Sequence, residues 1–408
     1  MPDDKHRAPT KILTLGFDPH LSVGSARPAV FRSSTYVFSN PEAAERAFDL
    51  ASGRAQPEPG EVPDLIYSRF NHPNAEILEA QIAPLETGAH AALAFNSGMS
   101  AIMTALMSFL GPGDSVVYTV PIYGGTQTLI EKFLASWGVR GVPVRAGQSA
   151  EIQAAIRDTD CLKVVLVETP ANPTLVMTSI QECAAEAAKR NPRPLVMVDN
   201  TMLGPAFQHP LKRGADMVLY SATKYLSGSS DFIAGVALAK DPELIRQMKL
   251  KRNLFGNILQ PDECWMLAQR LPTVLLRMNK ASKNAQRMAE RLASHPKIKS
   301  VIYPSLFKHL DQIRIRNEQC DFPGAMFSID IEGGKPAAFE FLRRLKLAYL
   351  AVSLGGVETL VCHPKTTTHS GFTELQSAEA GVTDGLVRVS VGIEDWRDLL
   401  ADFEQALK

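Results

Sequence analysis

LVMVDNTMLGPAFQHPLKRGADMVLYSATK, residues 195–224, decides how the chain folds. It holds two apolar runs, LVMV and MVLY, that are continuous rather than alternating in polarity, the pattern of strands buried on both faces of a parallel sheet. Each run ends in polar residues: Asp199 and Asn200 follow the first, and Ser221, Thr223 and Lys224 follow the second. Open parallel sheets bind ligands beyond the carboxyl ends of their strands. An acid at one exit and a lysine just past the next are therefore predicted to meet at one site.

The same pattern extends outward. From about Ala92 to Lys240 the runs SVVYTVP, LKVVLVETP and GVALAKD join the two above, with helical segments between them. This predicts an α/β domain on a mostly parallel sheet. A third polar exit, ETPANP, places Glu168 and Asn172 at the same predicted edge. Upstream, an irregular arm carries one helix, NPEAAERAFDL, with Asn40 as its cap and Pro41 at the first helical position. SGRAQPEPGEVPD follows, with three prolines and two glycines in thirteen residues, and reads as an exposed loop able to cover a pocket. Beyond Pro261 a long helical stretch leads into KSVIYP, AMFSIDIEGG, LAYLAVSLGG and VRVSVGIED, a smaller α+β domain. The expected division is an arm over 1–65, a large domain over 66–261 and a small C-terminal domain over 262–408.

Composition narrows the function. The 408 residues are 45% hydrophobic and 21% charged, with 43 basic residues against 43 acidic ones. A net charge of zero argues against nucleic acid as the main partner, because phosphate binding needs a basic face, and leaves room for a small anionic pocket. The five cysteines are scattered, with no CxxC pair, so neither a disulfide framework nor a zinc site is expected. His363 and His369 lack a third ligand at metal-site spacing, and no metal is expected. The polar N-terminus has no apolar signal core, and no run of about eighteen apolar residues occurs. A cytoplasmic protein is expected. No GxGxxG follows an early strand and no GxxxxGK[ST] occurs, which disfavours a nicotinamide dehydrogenase or a P-loop enzyme.

An acid and a lysine at adjacent strand exits are what pyridoxal phosphate needs: an amine for its aldehyde, and a carboxylate that keeps the pyridinium nitrogen protonated. Its phosphate needs backbone amides, and FNSGMSAI supplies them where Ser97 and Gly98 open an apolar helix. Ser221 and Thr223 add hydroxyl donors. Singly, each feature has a plain structural reading as a solvated lysine, a capping Asp or an ordinary helix start. In this order along one chain they point to a single site.

These residues resemble the Cys/Met-metabolism family of pyridoxal-phosphate enzymes, which includes cystathionine γ-synthase, cystathionine γ-lyase and methionine γ-lyase. The likeness runs through SSTYVF, YSRFNHPN, FNSGMSAI, YGGT, ETPANP, VDNT, SATKYLSG, VSLGGVETLVCHP, THS and VRVSVGIED. It implies the fold type I, aspartate aminotransferase-like architecture. It also implies that Lys224 is the Schiff-base lysine, that Asp199 pairs with the pyridinium, and that Gly98, Met99, Ser221 and Thr223 hold the phosphate. Tyr123 is expected to stack on the ring and to aid proton transfer at the leaving group. Arg388 is expected to clamp the α-carboxylate with Asn172 and the backbone near Ser353; a guanidinium suits that task because it can bind bidentately. Tyr67 and Arg69 are expected to reach the phosphate held by a neighbouring subunit, in a homotetramer built as a dimer of dimers.

The implied reaction has Lys224 remove the Cα proton of an amino acid so that a group on Cγ leaves. An α-keto acid and ammonia result, or homoserine if water adds, or a γ-replacement product if a thiol is captured. Val352 stands where cystathionine-handling relatives often carry a glutamate, which favours methionine γ-lyase-like elimination. Gly125 stands where methionine γ-lyases typically carry a cysteine, which weighs against it. A γ-synthase or O-acylhomoserine sulfhydrylase-like reaction is the alternative, as is a γ-lyase acting on a non-sulfur substrate such as canavanine, with a β-lyase third. Arg32, His72 to Asn74, Ser229 and Lys365 also depart from the family pattern.

Overall fold

The computed structural model describes residues 6–59 and 61–408. Met1 to Lys5 and Gly60, parts of the arm and of the loop read above, lie outside the described residues. The described residues form twelve strands: β1 (Ala91–Phe95), β2 (Ser115–Val120), β3 (Arg140–Arg145), β4 (Leu162–Glu168), β5 (Leu195–Asp199), β6 (Met217–Ser221), β7 (Gly235–Ala239), β8 (Ile298–Ile302), β9 (Met326–Ile331), β10 (Tyr349–Leu350), β11 (Leu360–Cys362) and β12 (Leu386–Ser390). The first seven make one sheet in the order β1-β7-β6-β5-β4-β2-β3. β2 to β6 run parallel, while β7 is antiparallel to both neighbours, β1 and β6.

Both faces of this sheet are covered, which is why its strands read as unbroken apolar runs. Val165, Val167, Val196, Val198 and Val218 pack into one core layer. Val164, Leu166, Met197, Met217 and Leu219, their neighbours in sequence, pack into the other. Each side chain of this size contributes roughly 1.5–3 kcal/mol by leaving water.

Register then sets the site. Glu168 lies opposite Asp199, and Asp199 opposite Leu219, two residues before Ser221. Ser221 and Phe95 both lie opposite Gly235. The end of β1, which runs the same way as β6, therefore delivers the helix Gly98–Phe109 to the edge where β4, β5 and β6 finish.

The small sheet has the order β10-β11-β12-β9-β8 and is antiparallel except for the β10/β11 pair. The helix Val274–Leu292 joins the two regions: Val274, Met278 and Ala281 pack into the large core, and Ala285, Met288, Ala289 and Leu292 into the small one. The proposed division at 261/262 precedes this shared helix. Among the described residues no helix is long and apolar enough to cross a membrane.

Three local readings change. The arm has a second helix, Ala8–Thr14, whose Ile12 is buried in the large core, besides the expected helix Pro41–Ser52, where Asn40 accepts the Ala43 amide at 2.7 Å. β3 carries no apolar run because it is an edge strand that holds Pro143 and is largely exposed or half-buried. LAYLAVSLGG contributes only the two residues of β10.

Candidate active site

The ends of β4, β5 and β6 open into a cavity of about 270 Å³. Of the expected site residues, Gly98, Met99, Tyr123, Asn172, Asp199, Ser221, Thr223, Lys224 and Arg388 line it. Ser353 joins them through a hydrogen bond, its Oγ accepting from Lys224 Nζ at 2.9 Å. Tyr67 and Arg69 do not line it. Arg69 stacks over the Tyr67 and Phe70 rings at 5.8 and 5.1 Å, and its Nη1 donates to the Asn253 carbonyl.

Lys224 sits in the turn after β6, where its amide donates to the Ser221 carbonyl at 3.1 Å. Among the described residues it has no carboxylate partner. Burial, and then the Arg388 charge, hold its ammonium below the usual lysine range. A buried amine without a counter-ion is poised to lose its proton and act as nucleophile or base.

Asp199 is held by the chain itself. Its Oδ1 accepts from the Thr201 amide at 3.0 Å and the Thr201 hydroxyl at 2.6 Å. That hydroxyl also accepts the Ser221 amide at 2.9 Å, so Thr201 ties the end of β5 to the end of β6. Burial raises the Asp199 carboxyl above its ordinary value. Next to it on the sheet, the Glu168 carboxyl is raised by burial and then by the Asp199 charge. Asn200, noted at the same exit, turns away from the cavity to bond the Gln208 carbonyl and the Tyr220 hydroxyl at 2.8 and 2.9 Å.

Arg388 is 2% exposed on β12. Its Nη2 donates to the carbonyls of Val352 and Ser353 at 2.6 and 2.9 Å, and its Nη1 to Asn172 Oδ1 at 3.3 Å. Its Nε has no partner among the described residues. An ion pair with Glu394 or Asp395 is not formed; Glu394 instead accepts from Thr359. The guanidinium thus carries an uncompensated positive charge at the cavity wall, which suits a substrate carboxylate.

The residues present fit pyridoxal phosphate. Ser97 caps the helix Gly98–Phe109 through the Ser100 amide at 3.0 Å, leaving the amides of Gly98 and Met99 without intrahelical acceptors. A Cβ at Gly98 would lie 2.8 Å from the Ser221 Cβ, so only glycine lets this helix end meet β6. Lys224 supplies the amine and Asp199 a half-buried carboxylate.

Several departures find structural work. His72 caps the helix Pro73–Ile82: its Nδ1 accepts the Ala75 amide at 3.2 Å and its Nε2 faces the Leu259 carbonyl at 2.9 Å. Asn74 fastens the arm, accepting the Phe31 amide and donating to the Ala29 carbonyl, both at 2.8 Å. Arg32 pairs with Asp262 at 3.1 Å in an exposed ion pair. Lys365 bridges Glu374 and Asp384 at 2.8 and 2.7 Å. Nothing in the structure explains Ser229. Within the 51–64 stretch, Glu61 is tied to Arg46 at 2.7 Å, and none of the described residues of that stretch lines the cavity.

His363 bonds Thr366 Oγ1 and the Asp384 carbonyl, while His369 is buried behind Asn172 and Arg388. Burial first, opposed by the nearby Asn172 backbone and reinforced by the Arg388 charge, pushes the His369 imidazole down to about 4. The unfolded chain takes up this proton first as pH falls below 6.5. The resulting stability is full above that value and is lost as pH drops through about 4, by at most ~3 kcal/mol. We expect His369→Gln to flatten the melting temperature between pH 7 and 4; a wild-type slope would contradict this.

Glu168 and Thr201 also line the cavity, and neither has a role readable from the sequence. Glu168 was visible at a strand exit, and Thr201 inside VDNT, but only the folded chain shows what they bond.

The Cys/Met metabolism PLP-dependent enzyme model matches residues 9–408. An L-methionine gamma-lyase from Fusobacterium nucleatum is 39% identical over 387 residues, covering 94% of each chain. A cystathionine gamma-synthase from Mycobacterium bovis is 37% identical over 398 residues, covering 98% of this chain and 96% of that one. Among solved structures, a cystathione gamma lyase from Micromonospora echinospora superposes with a TM-score of 0.88 at 34% identity, covering 98% of this chain and 99% of that one. The fold is thus the α/β architecture of these enzymes.

Proposed function

The chain belongs to the Cys/Met metabolism PLP-dependent enzymes, and from that membership we propose that it eliminates the γ-substituent of an amino acid whose distal end is apolar, in the manner of a methionine γ-lyase. Pyridoxal phosphate is the cofactor of this family. The observation that carries the reading is the cavity wall: Met99, Met202, Ile233, Val352 and Leu354 line it, and among the described residues Glu168 and Asp199 are its only carboxylates. A substrate ending in a second ammonium and carboxylate would press those charges against Val352, at the cost of unpaired desolvation. A methylthio end carries no such cost.

When bound, the cofactor supplies an electron sink for negative charge at the substrate Cα. The amides of Gly98 and Met99, with the Ser221 and Thr223 side chains, are the groups to hold its phosphate. Asp199 would be the group to pair with its ring nitrogen. Arg388, backed by Asn172 and the backbone at Ser353, takes the α-carboxylate and orients the Cα–H bond. Lys224 Nζ removes that proton, helped by the burial that disfavours its charged form. Tyr123, half exposed at the cavity mouth, serves proton transfer at the group leaving Cγ. Tyr67 and Arg69, held away from this chain's own cavity, belong in this reading to the site of a neighbouring copy in a dimer of dimers.

γ-Replacement is the second reading, and Gly125 favours it. A Cβ there would lie 2.7 Å from Tyr123 Cε1 and 3.0 Å from Met99 Sδ, so the tyrosine occupies room that a cysteine would take. The test is a panel of γ-substituted amino acids, with and without an added thiol, assayed for α-keto acid and for replacement product. We expect keto acid from substrates with apolar γ-substituents; replacement product alone would overturn elimination.

A further inference from the structure

We propose that Glu168 is a positioning residue, whose carboxylate fastens the ring-facing tyrosine and the carboxylate-facing asparagine into one rigid frame around the cavity. Its Oε2 accepts the Tyr123 amide at 2.8 Å, and its Oε1 accepts the Asn172 amide at 3.2 Å. These donors lie in two different loops, one after β2 and one after β4. Glu168 itself is fixed at the last position of β4, where its own amide donates to Thr119 Oγ1 at 3.1 Å and its neighbour across the ladder is Asp199. It is 6% exposed, so the bonds form out of competition with water.

The frame matters because neither anchored side chain has a strong partner of its own among the described residues. The Tyr123 side chain is 50% exposed and has no hydrogen bond among the described residues. Its ring is placed by its backbone and by the empty space at Gly125. Asn172 reaches Arg388 only through one long bond of 3.3 Å. A single carboxylate therefore sets the ring wall and the carboxylate subsite together, and both sit in register with Asp199. Two carboxyl oxygens, each facing one backbone amide, can satisfy both donors at once. A glutamine cannot, since its NH2 would confront one of the two N–H groups.

What the frame serves rests on the functional reading above; the anchoring itself does not. Hydrogen exchange followed by mass spectrometry on the cofactor-free protein reads the anchoring. In Glu168→Gln, exchange should speed up roughly 10- to 100-fold in segments 121–126 and 170–175, with β4 and β5 protected as in wild type. In the cofactor-loaded enzyme the same variant should raise KM and lower kcat, together by a similar factor, and Asn172→Ala added to it should raise KM little further. Unchanged exchange in those segments would overturn the proposal. So would faster exchange throughout the sheet, which marks a merely structural role, or faster local exchange with wild-type KM and kcat. A wild-type protein that takes up no pyridoxal phosphate would instead sink the functional reading, and the exchange result would still decide the anchoring.

Discussion

Lys224→Ala is expected to lower turnover ~10⁴-fold or more while leaving the fold intact. The variant removes the only amine that the described residues place on the cavity wall, and with it the group proposed both to hold the cofactor aldehyde and to take the Cα proton. Positioned general bases alone account for roughly 10²–10⁴-fold, and loss of the nucleophile adds to that. The fold should survive because burial already disfavours the Lys224 charge and, among the described residues, no carboxylate compensates it and its side chain bonds only the Ser353 hydroxyl. Deleting such a group relieves desolvation and loses only the packing of the stem. Steady-state assays and thermal melts of the cofactor-free protein check both halves. The visible band of the loaded enzyme, which borohydride reduction should fix covalently in wild type, should no longer be trapped on the protein in the variant. Turnover within tenfold of wild type would refute the assignment.

Asp199→Asn is expected to cost roughly 10²–10³-fold in kcat, the scale of removing one preorganised electrostatic partner from a site that stabilises developing charge. The change is nearly isosteric. Asn can still accept from the Thr201 amide and hydroxyl, so the β5 to β6 tie should persist. What is lost is the negative charge opposite the ring nitrogen. Stability should move the other way in the cofactor-free protein. The folded Asp199 pKa is raised above its value of 3.8 in the unfolded chain, so its contribution is present below that value and is lost as pH rises through the raised folded pKa. Removing the charge should therefore make cofactor-free Asp199→Asn melt above cofactor-free wild type at pH 8, with the advantage shrinking toward pH 4. Undiminished kcat, or a lower melting temperature at pH 8, would count against the pairing.

These two variants separate chemistry from scaffold, and they differ in how the cofactor would respond. Without Lys224 the cofactor still meets the helix end at Gly98 and the carboxylate of Asp199, so it should bind without a covalent link. Without the Asp199 charge it should bind covalently but weakly activate the substrate. Absorbance after dialysis against buffer distinguishes the two cases.

The α/β architecture was legible in residues 195–224 because a strand covered on both faces must be apolar at every position, and a chain records that requirement locally. Lys224 and Asp199 were legible for a related reason: strands in a parallel sheet end at one edge, so polar residues directly after two such runs are brought together by the fold itself. Other features left no such mark. Glu168 bonds Tyr123 across 45 residues, and Arg388 meets Asn172 across 216. His72 departs from the family pattern yet supplies a cap, and Gly125 matters for the room it leaves to a ring. No periodicity encodes contacts of this kind, because each depends on where two distant backbones come to rest. The sequence alone determined the covered sheet and the polar residues at its strand exits; only the tertiary structure decided which carboxyl group meets the Tyr123 and Asn172 amides, that Asn200 turns to Gln208 and Tyr220, and that Tyr67 and Arg69 stay outside their own chain's cavity. The physical reason is that burial pattern is a local property of a chain, whereas hydrogen-bond partners and close approach are properties of the packed whole.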